Sequence, residues 1–297
     1  MFDWNDLKFF LELSRRSKLI HAAKSLRVDH TTVSRRIAAL EQATGAKLFQ
    51  KTERGYTLTP SGEKLLPVAE GMENAALTIQ DEISGNTLSL SGVVRIGSPD
   101  GFGSFFLAPR LPSLVESHPN LEIDLVALPR YFSLSKREAD LAITLARPET
   151  GRLYARKLTD YQLQLFASKD YLEKHSPIKS TKDLSNHRLI GYIDDLIFAQ
   201  ELRYMEVIEK NLHVRFRSTS LVAQYHAVLA GAGISVLPRF MTYGDSRFIP
   251  VLPDSVRLIR SFWLLIHEDM HDLARIRETA DFVTDATRSE PDLFMET

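Results

Sequence analysis

The run His267-Glu268-Asp269-Met270-His271 is the stretch whose spacing most resembles a catalytic motif. It fits the pattern H-E-x-x-H, in which two histidines one helical turn apart bind zinc while the glutamate holds a water molecule. The residues in front of it, 261–266, favour an extended strand, and Asp269-Met270 favours a turn. The two histidines would then not share a helix face, so a zinc hydrolase is only an alternative and no metal is predicted.

Other catalytic and cofactor patterns are missing from the sequence. Gly97-x-x-x-Gly101-x-Gly103 has the wrong order for a dinucleotide-binding turn, and neither a Walker-type Gly-Lys-Ser/Thr nor a G-x-S-x-G elbow occurs. The chain has no cysteine, which excludes disulfides, thiolate nucleophiles and cysteine-held zinc or iron–sulfur sites. The sequence therefore favours a protein that is not an enzyme and needs no cofactor.

The charge of the 297-residue chain is balanced overall but unevenly distributed. With 37 basic and 38 acidic residues, the net charge is −1. Residues 1–65 hold 12 basic and 7 acidic residues, whereas the rest holds 25 and 31, so a segment of charge +5 precedes a body of charge −6. A basic module on an acidic body is typical of a protein in which one part meets a polyanion.

The composition, with 44% hydrophobic and 25% charged residues, is that of an ordinary folded protein. The longest apolar run, residues 262–266, is far shorter than a membrane span. The first residues contain neither the basic region nor the apolar region of a secretion signal. We therefore expect a cytoplasmic protein without a membrane partner.

The first 45 residues have the apolar spacing of three short helices. Two of these helices precede Asp29, which is placed to cap the third. In the third helix Val33, Ile37 and Leu40 recur at the spacing of one helix face, so we expect them in the core.

The opposite face of the third helix offers short polar side chains and a guanidinium near its N-terminal end. Such side chains suit base edges and phosphates in a DNA major groove. They are His30, Thr31, Thr32, Ser34 and Arg35. An ordinary solvated helix has a similar face, and periodicity alone does not separate the two.

The segment after the third helix favours a β-hairpin with a basic tip. Residues 47–51 and 56–58 are the expected strands, and residues 52–55 form the turn. A basic hairpin directly after a recognition helix is typical of a wing, in which Arg54 is placed to reach the DNA backbone or minor groove. The pair Thr59-Pro60 then supplies an N-cap and a first-turn proline for another helix.

Together these residues resemble the DNA-binding segment of LysR-type transcriptional regulators, without a gap through the first sixty-odd residues. The motifs are Ala22-Ala23-x-x-Leu26-x-Val28, Val33-Ser34-Arg35-x-Ile37-x-x-Leu40-Glu41, Gly45-x-x-Leu48-Phe49 and Leu58-Thr59-Pro60-x-Gly62. The resemblance implies a winged helix-turn-helix in a bacterial regulator that binds double-stranded DNA at interrupted palindromes as a dimer of dimers. The chain departs from the family with Asp29-His30-Thr31-Thr32, where Ser-Gln-Pro-Ala is common, so no operator sequence is carried over.

A long helix with a periodic apolar seam is predicted over residues 60–84. The seam consists of Leu65, Val68, Met72, Ala75, Ile79 and Ile83. Its spacing is close to the a/d pattern of a coiled coil over some three heptads, which favours pairing with a second copy. The resemblance also implies a homodimer here, because the helix after the wing is the family's dimer interface. On pattern alone, a helix packed on its own body stays open.

Beyond Gly92, strand and helix patterns alternate, which predicts an α/β body with mostly parallel sheets. The predicted strands are 93–97, 121–127, 140–144, 152–158, 161–168, 214–216, 233–237 and 258–266. The predicted helices are 102–117, 197–210, 219–230 and 273–288.

Several motifs in the body resemble the effector domain of the same family. They are Leu107-Ala108-Pro109-Arg110-Leu111, His118-Pro119-Asn120-Leu121, Asp140-Leu141-Ala142-Ile143 and Ala230-Gly231-x-Gly233-Ile234-x-x-Leu237-Pro238. The resemblance implies a periplasmic-binding-protein-like domain, with two α/β lobes joined by two crossovers and a small-molecule cleft between them. We expect lobe I at 91–162 plus 266–297 and lobe II at 163–265.

Effector contacts are expected where strands end and helices begin, because free backbone N–H groups are offered there. The sequence places Ser98, Asp100 and Gly101 at such a point, and Thr219 and Ser220 at a second one. The resemblance implies effector contacts at these positions and near three further residues. Those three are Arg130, Thr144 and Asp194. A role as simple helix caps stays equally open for the serines and threonines.

The sequence thus predicts three segments: a DNA-binding domain at 1–59, a linker helix and hinge at 60–90, and an effector-binding domain at 91–297. The predicted function is a sequence-specific DNA-binding regulator whose activity a small molecule modulates. The alternative from another class is a small-molecule-binding protein without a DNA role. That alternative explains the body but leaves the basic N-terminal module without a use.

Overall fold

The computed structural model of the chain describes residues 2–53, 55–83, 90–130, 132, 134, 138–148 and 151–296. For residues 74 and 77–83 the description covers the backbone only. The chain forms two compact units, residues 1–86 and residues 87–297. The predicted linker helix belongs to the first unit. The further division of the chain into the segments and lobes expected above stays a prediction.

The first unit contains the three helices, the hairpin and the long helix that the sequence predicts. These elements are α1 (Asp6–Arg16), α2 (Leu19–Leu26), α3 (His30–Thr44), β1 (Phe49–Thr52), β2 (Gly55–Leu58) and α4 (Pro60–Ile83). Their core is built from apolar side chains of all three short helices and the hairpin, with Phe10, Leu13, Val33 and Leu40 fully buried. The helix-turn-helix is thus held by packing, and the polar face of α3 is left outside.

Residue Thr59 fixes the start of α4 on the hairpin. Its hydroxyl accepts a hydrogen bond from the Gly62 N–H (3.1 Å) and donates one to the Lys47 carbonyl oxygen (2.6 Å). Its own N–H donates to the Leu48 carbonyl oxygen (3.0 Å). The predicted cap at Thr59 and the helix start at Pro60 are therefore confirmed.

The second unit is an α/β body around a mixed sheet. Its strands are β3 (Ser91–Ser98), β4 (Asn120–Ala127), β5 (Leu141–Thr144), β6 (Leu153–Ser168), β7 (Leu189–Gly191), β8 (Val214–Arg217), β9 (Ile234–Pro238), β10 (Phe248–Val251) and β11 (Leu258–His267). Its α-helices are α5 (Asp100–Phe102), α6 (Leu111–Ser117), α7 (Lys169–Glu173), α8 (Tyr204–Ile208), α9 (Leu221–Leu229), α10 (Arg239–Thr242), α11 (Ala274–Ser289) and α12 (Pro291–Phe294).

The strand order is β4-β3-β5-β11-β6-β9-β7-β8, with β10 paired to β6. Pairing is parallel between β3 and its two neighbours, and between β7 and its two neighbours. It is antiparallel wherever β6 or β11 takes part. The expectation of a mostly parallel sheet is therefore wrong, because the two longest strands run against their neighbours.

The strands β6 and β11 join two groups of strands, with β3, β4 and β5 on one side and β7, β8 and β9 on the other. The 16-residue strand β6 was predicted as two strands, but it is continuous. Its residue Leu163 pairs with Leu258 of β11 and also with Pro238 of β9. The register of β11 shifts between Phe262 and Trp263, which marks a bulge near the middle of the connection.

Two predicted helices of the body are shorter or more interrupted than expected. The segment 102–117 is divided into α5, a π-helical turn (Gly103–Leu107) and α6. The segment 197–210 contains only a 3₁₀ turn (Gln200–Leu202) and α8. In this second segment Leu202 and Tyr204 are buried beside β6 and β11, and this packing overrides local helix propensity. Strands β7 and β10 are not predicted by the sequence.

In the described part of the chain, no helix combines the length and the apolar character that crossing a bilayer requires.

Candidate nucleic-acid interface and effector cleft

The recognition helix α3 presents the polar face that its sequence predicts. Val33, Ile37 and Leu40 are buried. The residues predicted to face DNA lie at or near the surface: His30, Thr31, Ser34 and Arg35 are exposed, and Thr32 is half-buried. The predicted sixth contact, Arg54, lies outside the described residues.

The N-terminus of α3 is organised by Asp29. Its carboxylate accepts hydrogen bonds from the hydroxyls of Thr31 and Thr32 and from the Thr32 N–H, the last at 2.8 Å. These hydrogen bonds, that of the Thr31 hydroxyl first, hold the pKa of Asp29 far below its usual range. Asp29 is thus an ionised cap, and both threonines donate their hydroxyl hydrogens to it.

Arg35 and Arg36 are neighbours in sequence with different surroundings. Arg36 forms ion pairs with Asp3 (3.0 Å) and Asp6 (3.1 Å) and lies over the Phe9 ring at 5.8 Å. Arg35 is exposed and forms no ion pair or hydrogen bond with any residue that the structure describes. Arg36 therefore serves the fold, whereas the guanidinium of Arg35 is available to an external anion.

We predict that Arg36→Ala lowers the free energy of unfolding of the N-terminal unit by about 2 kcal/mol. Asp6 is only 3% exposed, so the substitution leaves a buried carboxylate without its cation. The loss is smaller than for a fully buried pair because the Arg36 side chain is 35% exposed. Urea denaturation of the full chain measures the change.

The control is Arg35→Ala, which should leave the unfolding transition within about 0.5 kcal/mol of wild type. Arg36→Ala should also cost less when Asp6→Asn is already present, because the stranded charge is then absent. If Arg36→Ala and the wild type had equal free energies of unfolding, the ion pairs of Arg36 would not stabilise the fold.

The wing hairpin is docked on the end of α1. Strands β1 and β2 pair with Thr52 opposite Gly55. The N–H of Tyr56 donates to the Ser17 carbonyl oxygen (2.7 Å), directly after α1. Gly55 has a positive φ of 129° and lies against the same carbonyl group. Glycine is required here for two reasons: its backbone adopts this φ without strain, and it has no Cβ to meet the carbonyl group.

The predicted dimerisation seam on α4 is divided between two environments. Leu65 and Met72 are half-buried and pack against the core of their own unit. Val68 is 59% exposed, and Ala75 is also exposed. The side chains of Ile79 and Ile83 lie outside the described residues. In the first half of the helix, Leu65 and Met72 are therefore covered by the unit's own core, whereas Val68 and Ala75 are exposed.

In the second unit a cavity lies where β3 ends against α9. It is lined mainly by rings and aliphatic side chains from both groups of strands. The lining residues are Pro99, Asp100, Gly101, Phe102, Leu145, Tyr161, Tyr192, Phe198, Leu202, Tyr204, Leu221, Pro238, Phe240 and Phe262. Its volume is about 20 Å³, enough for a single water molecule. We call it the aromatic cleft.

Two of the predicted effector residues line the aromatic cleft. Asp100 is 8% exposed, and its carboxylate accepts hydrogen bonds from the N–H groups of Gly101 (2.9 Å) and Val222 (3.5 Å). A side chain on Gly101 would meet Leu221 Cδ2 at 2.9 Å and Met241 Sδ at 3.1 Å. Asp100 and Gly101 therefore form the contact between the end of β3 and the start of α9.

Three more predicted effector residues lie close to this contact in the chain, and two of them have local hydrogen-bond partners. Ser98 is fully buried and donates to the Pro99 carbonyl oxygen (3.1 Å). The Ser220 hydroxyl accepts from the Ala223 N–H (3.2 Å) and caps α9, and Thr219 is half-buried beside it. The simple capping role is thus present at Ser220.

The remaining predicted effector residues do not line the aromatic cleft. Arg130 is ion-paired to Glu138 (2.8 Å) and lies over the Phe132 ring. Thr144 is buried at the end of β5 and donates to the Ala146 carbonyl oxygen (2.8 Å). Asp194 is exposed in a 3₁₀ turn.

The aromatic rings of the cleft were missed by the sequence analysis. In the sequence, Tyr161, Phe102 and Phe262 have the spacing of ordinary core residues. In the structure, Tyr161 stacks on Phe262 with ring centroids 4.1 Å apart. Burial raises the pKa of Tyr161, Tyr192 and Tyr204, so all three keep neutral phenol groups. Tyr204 is among the secondary causes of the raised pKa of Tyr161, after burial, so the two phenol groups lie near each other. No spacing rule identifies such a cluster, since its members come from distant segments.

A larger cavity, of about 250 Å³, lies between α11 and the strands β6 and β11. Its rim carries Tyr154 and His271, stacked at 4.0 Å, and the ion pair of Arg156 with Asp281 (3.1 Å). None of the predicted effector residues line it.

The residues of the H-E-x-x-H run do not have the geometry of a zinc site. His267 is the last residue of β11, and a 3₁₀ turn (Glu268–Met270) separates it from His271. The carboxylate of Glu268 is bound by Arg152 (3.0 Å). Within the described ranges, no three His, Cys, Asp or Glu side chains are grouped to hold a metal ion. The zinc hydrolase alternative therefore loses its geometric basis.

Comparison with known proteins covers both units. Residues 4–63 match the family model of the bacterial regulatory helix-turn-helix protein, lysR family, and residues 88–288 match that of the LysR substrate binding domain. The Mau operon transcriptional activator of Paracoccus denitrificans is 28% identical over 287 residues, which are 95% of this chain and 96% of that protein. The regulator PtxR of Pseudomonas aeruginosa is 28% identical over 258 residues, 84% of this chain and 81% of that protein.

Solved structures agree on the fold. The structure of CrgA, a LysR-type transcriptional regulator from Neisseria meningitidis, covers 97% of this chain and 99% of its own, with a TM-score of 0.62 and 23% identity. Full-length AphB of Vibrio cholerae covers 96% of this chain and 99% of its own, with a TM-score of 0.56 and 24% identity. With a helix-turn-helix in the first unit and a substrate-binding domain in the second, the chain belongs to the LysR family of DNA-binding transcriptional regulators.

Proposed function

We propose that this regulator reads operator DNA through the exposed face of α3, with Arg35 and Thr31 contacting bases or phosphates. His30, Thr32 and Ser34 support these contacts, and Arg54 reaches the backbone or minor groove from the wing. The observation that carries the proposal is the contrast between Arg35, whose guanidinium is exposed and unengaged by the described residues, and Arg36, which is bound within the fold. A guanidinium next to short polar side chains suits a guanine edge or a phosphate.

The assembly is proposed to be a homodimer formed through α4, which associates further into a tetramer on an interrupted palindrome. Its support is the open edge of the α4 seam, where Val68 and Ala75 are exposed, together with the predicted continuation to Ile79 and Ile83. A dimer places two recognition helices on two half-sites, which matches a palindromic operator.

The effector is proposed to bind in the aromatic cleft, where residues from both groups of strands meet at Asp100 and Gly101. Binding there changes the arrangement of the two proposed lobes, and this change alters how the dimers engage DNA. The support is that Asp100 already connects the end of β3 to the first turn of α9.

We predict that Arg35→Ala weakens operator binding about 10- to 100-fold, because one contact to a base or phosphate is lost. The measurement is fluorescence anisotropy with DNA from the region upstream of the protein's own gene, over a range of salt concentrations. The slope of log affinity against log salt should become shallower by about one if Arg35 binds a phosphate.

The matched control is Arg288→Ala, which removes an exposed arginine from α11 of the second unit. It should bind the operator like the wild-type protein. If Arg35→Ala also bound with unchanged affinity and an unchanged salt slope, α3 would not be the DNA-reading element.

A further inference from the structure

The charge of the aromatic cleft is unusual for a buried site. Of the residues that line it, only Asp100 is charged, and no lysine, arginine or histidine is among them. Asp100 is 8% exposed. The carboxylate is therefore held in an apolar environment, where an isolated charge is costly unless a partner of opposite charge is present.

The partners that Asp100 does have are neutral. Its two hydrogen bonds come from the backbone N–H groups of Gly101 and Val222. It forms no ion pair with any residue in the described ranges. Arg260 lies near the phenol groups of Tyr161 and Tyr204, but it does not line the cleft, and it donates to the Ile259 carbonyl oxygen. The cation that would compensate Asp100 is thus not supplied by the lining of the cleft.

The walls around Asp100 suit a cation as well. Tyr161, Tyr192 and Tyr204 line the cleft with aromatic rings and neutral phenol groups. Burial raises the pKa of Tyr192 and Tyr204, and the nearby Asp100 carboxylate adds to the rise. The faces of aromatic rings attract positively charged groups, most strongly where water is excluded. An anionic ligand could accept hydrogen bonds from the phenol groups, but it would meet the Asp100 carboxylate and no cation among the lining residues.

We propose that the effector of this regulator is a protonated organic amine, whose ammonium group pairs with Asp100 and packs on the tyrosine rings. The N–H groups of the ammonium donate to the carboxylate and to phenol oxygens, which a quaternary ammonium cannot do. The proposal rests on the proposed role of the aromatic cleft as the effector site, and it names the class of molecule that the site takes.

Because the cleft is small, a ligand can bind in it only if the residues that line it move apart. With about 20 Å³ available, an amine enters only if the walls separate. The hydrogen bond from Val222 and the packing of Leu221 against Gly101 hold the end of β3 to α9 in the structure described here. An ammonium group competes for the same carboxylate, so binding releases α9 from Asp100 and favours a different lobe arrangement.

The test uses the purified full-length protein and follows its thermal unfolding with matched probes. The probes are n-butylamine, putrescine, agmatine and phenethylamine as their hydrochlorides, with butyrate, phenylacetate and tetramethylammonium chloride as controls. At least one amine should raise the Tm in a concentration-dependent manner, whereas the carboxylates and tetramethylammonium should not. Stabilisation by carboxylates alone, or by none of the amines, would overturn the proposal.

The variant Asp100→Asn then locates the site. It should raise the Kd of the stabilising amine at least about 30-fold by calorimetry, because the charge partner is removed. The control Asp254→Asn, at an exposed position in the same unit, should leave the Kd unchanged. Without ligand, the Tm of Asp100→Asn should stay close to that of the wild type, because the Asn carbonyl oxygen can still accept one of the two backbone N–H groups. A loss of amine binding at an unchanged Tm then reports the charge of Asp100 and not a loss of fold.

Operator binding separates this proposal from the proposed function. If an amine binds in an Asp100-dependent way but leaves DNA binding and protection of the operator unchanged, the cleft is an amine site and the regulatory coupling is wrong. An amine that binds equally to wild type and Asp100→Asn disproves the amine site even when the protein binds its operator.

Discussion

Replacing Gly62 by alanine should lower the free energy of unfolding of the N-terminal unit by about 3 kcal/mol and abolish operator binding. Gly62 lies in the first turn of α4. A Cβ added there would overlap the Leu48 carbonyl oxygen and would lie 2.9 Å from Leu58 Cδ2. The carbonyl belongs to the backbone and already accepts the Thr59 N–H, so it has little freedom to move. Relief of the clash displaces α4 from the wing.

The matched control for this variant is Gly71→Ala in the same helix. Gly71 has no heavy atom within 4 Å of an added Cβ, and alanine is the better helix former. This substitution should stabilise the unit by about 0.5–1 kcal/mol. Urea denaturation and operator anisotropy on both variants give the comparison, and equal effects of the two alanines would show that contact with Leu48 does not hold α4.

Gly55→Ala should have an effect of similar size, about 3 kcal/mol, through the wing rather than the linker helix. The residue has φ of 129°, which strains any L side chain, and its Cβ would collide with the Ser17 carbonyl group. The wing must then leave the end of α1 and lose the hydrogen bond from Tyr56 to Ser17. We expect DNA affinity to fall together with stability, because Arg54 is carried by the same hairpin.

The control for Gly55 is Gly45→Ala at the end of α3. Gly45 has a positive φ of 67° but open space around it. It therefore reports the cost of backbone strain alone, about 1 kcal/mol. A Gly55 variant that costs no more than the Gly45 variant would mean that the wing tolerates a side chain against α1.

The DNA-binding unit was largely predictable because its determinants are local. The spacing of Val33, Ile37 and Leu40 fixes which face of α3 is buried, and the side chain of Asp29 caps the helix that follows it. The sequence does not predict the hydrogen bonds from the hydroxyl groups of Thr31 and Thr32 to Asp29. They depend on rotamers rather than on spacing.

The body was predicted less well, because its details depend on contacts between distant segments. The alternation of apolar and polar residues within a strand does not tell whether its neighbour runs parallel or antiparallel. The antiparallel pairing with β6 and β11 was therefore not predicted, and a mostly parallel sheet was expected. The place of Asp100 and Gly101 at the end of a strand is enough to predict them as effector contacts, and the structure shows that they line the aromatic cleft. Tyr161 and Tyr204 line the same cleft but have the pattern of ordinary core residues, so the sequence does not single them out.

The seam on α4 illustrates a third kind of limit. Periodicity identifies apolar positions but not which neighbour covers each of them. Leu65 and Met72 pack within their own unit, while Val68 at the same period is open. The apolar spacing therefore does not tell which positions the chain covers itself, and the pairing of the open positions with a second copy stays a proposal.

The continuity of β6 and β11 has a mechanical consequence. Because Leu163 is paired on both sides, the strands β9, β7 and β8 cannot slide away from β5, β3 and β4 without breaking a ladder. We therefore expect any relative movement of the two groups to be a rotation about β6 and β11, and the bulge between Phe262 and Trp263 is the irregular point of their pairing. On this expectation, a ligand that separates the walls of the aromatic cleft would change the angle between the two groups of strands rather than their distance.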